Sequence, residues 1–277
     1  MLSRTYQMSS EHHYANDKQD TGNEWYWRFD RRRLDAELVR RGLAASRAEA
    51  QTLIDEHRVL VNGAIAEKAA RQVAREDQLV VSGPPARFVS RGALKLEGAL
   101  DAFDLDVTDL RALDAGASTG GFTDSLLQRG AREVIAVDVG HGQMHERLRA
   151  DPRVANIERV NVRQLSVDQI GGPVDLVVAD LSFISLRLVI APLASVCHPG
   201  APMVLLVKPQ FEAGRAEVSR GRGVVTDPAV WERVTAEIEQ ALVVAGCDVE
   251  GWTDSPITGA DGNREFLVCA RVPSHPS

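Results

Sequence analysis

The chain has 277 residues, 44% of them apolar and 26% charged, with 22 Gly and 12 Pro; this describes a globular protein with room for a sizeable core and excludes a disordered or fibrous one. The longest apolar runs are short (Val174 to Ala179 is already broken by Asp175), so no stretch of about 18 apolar residues exists to form a membrane-spanning helix. Net charge is −7, but residues 31–90 carry 11 basic and 8 acidic side chains while residues 91–277 carry 18 basic and 26 acidic, so a small basic segment precedes a larger acidic one. That split fits either a solvated face or a broad contact with a polyanion made only by the first segment.

Residues 1–30 are polar, lack periodicity and are expected to form a largely disordered tail. In this tail Trp25, Tyr26, Trp27 and Phe29 either cover an apolar patch or bind nothing. The start, with His12, His13, Asp17 and Asp20, has no apolar signal-peptide centre. Cys197, Cys247 and Cys269 lie far apart and form no CxxC, which argues against a disulfide framework or a structural zinc site and for a reducing cytoplasm; no metal is expected.

Residues 31–82 read as a compact module. Leu34, Leu38 and Val39 line a first helix that ends near Gly42. Ser46, with Glu49 three residues on, opens a second helix whose apolar face is Ala50, Leu53 and Ile54. Val59-Leu60-Val61 then meets Asn62-Gly63, a strong hairpin signal, and Leu79-Val80-Val81 closes the unit. Gly83-Pro84-Pro85 is a break, which places a linker at residues 83–90.

The remainder, 91–277, alternates strand and helix. Strands are predicted at 110–113, 133–139, 174–180, 203–208, 248–253 and 265–272. A helix over 122–129 stops at Gly130, and a longer one over 227–245 stops at Gly246. Alternation of this kind predicts an α/β fold, a doubly wound and mostly parallel sheet with helices on both faces, binding ligands at the carboxyl ends of its strands.

The first of these strands runs into Asp114-Ala115-Gly116-Ala117-Ser118-Thr119-Gly120-Gly121-Phe122. The G-x-x-x-G-G spacing differs from the G-x-G-x-x-G that cradles a dinucleotide pyrophosphate. Asp114 suits the ammonium of a methionine-type ligand, and Asp138, ending the second strand, can accept both hydroxyls of a ribose. Asp114, Gly116, Ser118, Thr119, Gly120, Gly121, Phe122 and Asp138 therefore fit S-adenosylmethionine better than NAD; the plainer alternative is a tight structural turn and a strand-end aspartate.

Two other strand ends carry polar residues, Asp180 after Val177-Val178-Ala179 and Lys208 after Leu205-Leu206-Val207. A lysine there is either a solvated strand end or a base whose charged form is disfavoured by burial and a second cation, for which Lys95 is the candidate. Glu265 opens the last strand and can pair with a lysine.

Taken together, residues 31–272 resemble the TlyA (hemolysin A) family of S-adenosylmethionine-dependent ribosomal RNA 2′-O-methyltransferases. The module is similar to an S4 RNA-binding domain through Arg33-Leu34-Asp35, Gly42-Leu43, Ser46-Arg47 and Val59-Leu60-Val61-Asn62-Gly63. The larger part resembles the FtsJ (RrmJ-like) methyltransferase domain through Ser90–Leu96, Asp114–Phe122, Asp180–Ser185, Lys208–Phe211 and Gly262–Glu265. The resemblance implies a seven-stranded Rossmann-like sheet behind a small α+β S4 domain. It also implies a catalytic tetrad at Lys95, Asp180, Lys208 and Glu265, with Lys208 as general base, Lys95 stabilising the alkoxide, and the two carboxylates holding the lysines.

The implied substrate is cytidine ribose in 16S or 23S rRNA, within free RNA or ribosomal subunits, and Arg33, Arg40, Arg41 and Arg47 are the expected phosphate contacts. The Arg-rich segment 214–223 either touches RNA phosphate or is mobile. A cytoplasmic monomer without membrane contact is expected. The alternative is a ribosome assembly factor that binds S-adenosylmethionine and RNA without turnover.

Overall fold

The computed structural model describes residues 31–44, 46–83, 87–221, 223–259 and 261–274. The expected tail, 1–30, and residues 84–86 of the expected linker lie outside the described residues.

The first module runs β1 (Arg32–Arg33), α1 (Leu34–Arg40), α2 (Arg47–Asp55), β2 (Val59–Val61), β3 (Ala64–Ile65), β4 (Gln72–Val73) and β5 (Leu79–Val81). Ser46 caps α2 by accepting from the Glu49 N–H at 3.1 Å, which satisfies one of the free donors of the first turn. Asn62 and Gly63 both take left-handed backbone, φ 54° and 80°, as a two-residue hairpin turn requires, and set the register Val61 opposite Ala64. Leu34, Leu38, Ala50, Leu53, Ile54, Val59, Val61 and Val73 close one small core. The short β1–β4 pairing, absent from the sequence-based expectation, ties the module's entry to its middle.

The second part runs α3 (Gly92–Ala102), β6 (Arg111–Ala115), α4 (Gly121–Gln128), β7 (Glu133–Asp138), α5 (Glu146–Arg149), β8 (Val154–Glu158), β9 (Leu176–Ala179), α6 (Ile190–Ser195), β10 (Pro202–Val207), α7 (Pro209–Glu212), α8 (Arg215–Arg220), α9 (Pro228–Val244), β11 (Asp248–Asp254) and β12 (Phe266–Arg271). The strands form one sheet in the order β11-β12-β10-β9-β6-β7-β8, parallel except that β12 runs antiparallel to both its neighbours. Six strands match the predicted ones to within a few residues. The seventh, β8, is half-buried along its whole length at the sheet edge, so its sequence lacks the alternation that marks a strand. The Arg-rich segment 214–223 contains the short helix α8.

Strand side chains alternate between the two faces. Leu113, Ala115, Ile135, Val137, Leu205 and Val207 join α6 and α9 in one core layer. Ala112, Val134, Ala136, Val204 and Leu206 join α3 and α4 in the other. After β8 the chain crosses back past β6 to form β9. The strand order therefore reverses between β6 and β9: the chain leaves β6 for α4 on one face and β9 for α6 on the other, which opens a crevice at their carboxyl ends.

Candidate active site

Two adjoining cavities open in that crevice. The larger, about 520 Å³, is bordered by Gly116 and Ser118 after β6, Asp138 at the end of β7, Asn161 after β8, and Asp180 to Ile184 after β9. The smaller, about 170 Å³, shares Gly116, Ser118, Asp180 and Ser182 with it and adds Ser90, Gly92, Thr119, Gly121, Phe122 and Lys208. Each polar wall is a strand end or a helix start, where the backbone leaves its ladder and a side chain can face a ligand.

The loop after β6 is shaped by close packing. Gly116 has φ 87°, and a Cβ there would stand 2.5 Å from the Asp180 carbonyl oxygen, so only glycine lets the loop cross the end of β9. Gly120 is closed off by Leu148 rather than open to a ligand: its Cβ would meet Leu148 Cδ1 at 2.3 Å. Asp138 accepts from the Ser118 N–H at 2.8 Å and the Gly140 N–H at 2.6 Å, which orients the carboxylate and leaves a lone pair on each oxygen.

Asp114 departs from its expected position. It shares a face of β6 with Ala112, so alternation sends it beneath the loop into the α3–α4 layer. There it is fully enclosed, accepts from Thr123 Oγ1 at 2.6 Å and borders neither cavity. Burial pushes its carboxyl up to about 7, with Asp180 and Asp138 adding like charge.

The four residues of the implied tetrad form two ion pairs. Lys208 Nζ lies 2.5 Å from Asp180 Oδ1, and Lys95 Nζ lies 2.5 Å from Glu265 Oε2. Both lysines and Glu265 are buried. Lys95 and Glu265 border neither cavity, but Lys95 lies one turn from Gly92 on α3, and a Cβ at Gly92 would stand 3.9 Å from Asp180 Oδ2.

Several site residues escaped the sequence reading. Lys208 Nζ donates to Ser182 Oγ at 2.9 Å. Phe183 is 91% exposed at the mouth of the larger cavity, its ring 5.1 Å from that of Phe211, and its φ of 64° is a strained backbone for an aromatic residue. Gln143 accepts from Ser118 Oγ at 3.1 Å beside Asp138. Ser182 and Phe183 stand within the Asp180–Ser185 segment that carries the methyltransferase resemblance, whereas nothing in the local sequence signals Gln143.

The anticipated RNA-binding arginines all meet carboxylates of their own module. Arg33 and Arg47 hold Asp35 at 3.0 and 2.8 Å, and Arg40 and Arg41 hold Glu37 at 2.6 and 2.7 Å. Arg33, Arg40 and Arg47 stay largely exposed. Arg41 departs from expectation: it also donates to the carbonyls of Ala74, Arg75 and Asp77, so its fork is occupied in joining α1 to the turn before β5. Among the described residues no cluster of His, Cys, Asp and Glu could hold a metal ion, and no helix is long and apolar enough to cross a membrane.

The residues present suit S-adenosylmethionine: a strand-end carboxylate faces the larger cavity for ribose hydroxyls, and glycine-lined backbone borders the smaller one. The FtsJ-like methyltransferase family model matches residues 88–272, and the S4 domain model matches residues 32–79. The chain is 49% identical over 243 residues to the 16S/23S rRNA (cytidine-2′-O)-methyltransferase TlyA of Mycobacterium tuberculosis, covering 87% of this chain and 90% of that protein. It is 44% identical over 237 residues to the putative rRNA methyltransferase YqxC of Bacillus subtilis, covering 85% and 84%. A solved structure described as a putative hemolysin from Streptococcus thermophilus superposes with a TM-score of 0.71 at 39% identity, covering 89% of this chain and 90% of that one. A catalytic domain of the FtsJ-like class, an S4 domain before it and close identity across nearly the whole chain place this protein in the TlyA family of S-adenosylmethionine-dependent rRNA methyltransferases.

Proposed function

We propose that the protein methylates the 2′-hydroxyl of a cytidine ribose in ribosomal RNA, with Lys208 as the general base. S-adenosylmethionine supplies a methyl group on a sulfonium, ready for in-line displacement. The observation that carries this reading is the position of Lys208. Its side chain borders the smaller cavity, beside the glycine loop, with Asp180 and Ser182 against its nitrogen. A ribose hydroxyl is a very weak acid, and a neutral amine within hydrogen-bond reach takes its proton as the oxygen–carbon bond forms.

Asp138 holds the cofactor ribose. Gly116, Ser118, Thr119, Gly121 and Phe122 line the methionine end, joined by Ser90 and Gly92 at the start of α3. Asp180 orients Lys208, while Glu265 and Lys95 form the second pair behind them. Phe183, exposed and paired with Phe211, offers a stacking face to a base at the cavity mouth. The substrate class comes from the curated relatives, whose names specify cytidine 2′-O-methylation of 16S and 23S rRNA. On this reading the protein works as a monomer in the cytoplasm on ribosomal subunits, positioned by the basic S4 module through Arg33, Arg40 and Arg47.

The test is methyl incorporation from labelled S-adenosylmethionine into isolated ribosomal subunits, with the 2′-O-methyl position mapped. Lys208→Ala should keep cofactor affinity and lower turnover roughly 100-fold or more. Lys208→Arg should fail as well, because a guanidinium stays protonated. Near-normal methylation by the arginine variant would make Lys208 an electrostatic clamp and overturn its role as base.

A further inference from the structure

The contacts around Lys208 specify more than its presence. A neutral amine has two N–H bonds and one lone pair, and only the lone pair can accept a proton. Ser182 Oγ accepts a hydrogen bond from Nζ at 2.9 Å, while Asp180 Oδ1 stands 2.5 Å from Nζ as its charge partner, outside hydrogen-bond geometry. A third side faces the Phe211 ring, 5.8 Å from Nζ to its centroid, which offers no lone-pair acceptor for an N–H. Ser182 itself borders both cavities, so its hydroxyl sits at their junction.

The chain is built to hold that hydroxyl in place. Immediately after Ser182, Phe183 takes left-handed backbone at φ 64°, which an aromatic residue adopts only under constraint from its surroundings. The turn that follows is anchored as well. Buried Glu212, in α7 just beyond Lys208, accepts from Ser185 Oγ at 2.5 Å and from the Leu186 N–H at 2.7 Å. The segment after β9 is thereby bolted to the segment after β10, and Ser182 is carried to Lys208.

We propose that Ser182 is a positioning residue for the proton acceptor: its hydroxyl holds one N–H of the Lys208 amine and so fixes the rotation of Nζ beside Asp180, so that the lone pair projects into the cavity where the methyl group is transferred. The inference rests on the reading of Lys208 as base. In the transfer, the proton of the 2′-hydroxyl goes to the Nζ lone pair, the oxygen–methyl bond forms, the sulfur–methyl bond breaks, and its electron pair returns to sulfur as a neutral thioether. Lys208 is left as an ammonium that donates to Ser182, is balanced by the Asp180 carboxylate and releases its added proton to water. Without Ser182 the amine turns about its Cε–Nζ bond and presents an N–H to the substrate for much of the time.

The experiment compares wild type, Ser182→Ala, Ser182→Thr and Lys208→Ala in the full chain, measuring single-turnover methylation of isolated ribosomal subunits and S-adenosylmethionine affinity by calorimetry. Ser182→Ala should lower the methylation rate roughly 10-fold with cofactor affinity unchanged, and Ser182→Thr, which keeps a hydroxyl, should recover most of the rate. If Lys208→Ala abolishes methylation but Ser182→Ala matches wild type, the role of Ser182 is overturned while the base stands. If Ser182→Ala loses cofactor affinity along with rate and threonine restores neither, Ser182 is only a wall of the cavity and the proposal also falls. If Lys208→Ala itself methylates normally, the underlying reading of the base is what fails.

Discussion

Asp114 is fully enclosed, and its Oδ1 has no hydrogen-bond partner. Its carboxyl, pushed up to about 7 chiefly by burial, differs from an unfolded chain's 3.8, so the native state holds this proton more tightly than the unfolded state does. The stabilisation is complete below about pH 4 and is lost as pH rises through about 7, where folding must bury a charge. Linkage over that interval amounts to roughly 4 kcal/mol as an upper bound. Denaturant unfolding from pH 4 to 8 should therefore show a decline in stability that is absent from Asp114→Asn, and an unchanged slope in that variant would show that other groups cause it. The same enclosure makes Asp114 a support under the glycine loop rather than one of its ligand contacts.

At the scale of elements, the S4 module is held by carboxylates that its apolar pattern conceals. The Arg33 guanidinium holds buried Asp35 down at about 2, helped by Arg47, and Arg40 with Arg41 does the same to Glu37. These acids have depressed native values, so their contribution is present above the unfolded values of 3.8 and 4.5 and is lost as pH falls toward 2. This window lies below that of Asp114 and has the opposite sign. Amide exchange of the intact chain between pH 5 and 3 should show residues 31–82 losing protection before the large sheet does. Glu37→Gln should weaken the module at neutral pH by about 2 kcal/mol, because Arg41 loses its anchor beside the carbonyls of Ala74, Arg75 and Asp77. Protection of the module in that variant equal to wild type would show the carboxylate to be dispensable.

In the whole molecule, the module's core is separate from the two layers that sandwich the sheet. Phe88 is already buried, and the Val89 N–H donates to Asp124 Oδ2 at 2.8 Å, so the catalytic part begins structurally before α3. A chain starting at Arg87 should fold and bind S-adenosylmethionine. The 18 basic and 26 acidic residues of 91–277 give it a net repulsion from RNA that the basic module offsets in the full chain. It should therefore methylate ribosomal subunits at least about 10-fold more slowly, with a weaker dependence on salt. Full activity of the truncated chain would show that the S4 module is not needed for docking.

What could be read from residue order was whatever depends on near neighbours. The capped start of α2, the Asn62-Gly63 turn, six of the seven large strands and the polar residues at their ends are all of this kind, because capping, turn geometry and strand patterning act over a few residues. The edge strand β8 escaped because a half-buried edge needs no alternation. Pairings across the molecule were decided by the fold. Lys95 meets Glu265, and Lys208 meets Asp180, because the order β12-β10-β9-β6 brings together segments far apart in the chain. Arg41 turned inward because three carbonyls of a distant turn converge on it. Ser182 reached Lys208 because Glu212 fastens the turn after β9 to the helix after β10, a contact between segments that lie side by side only in the folded sheet.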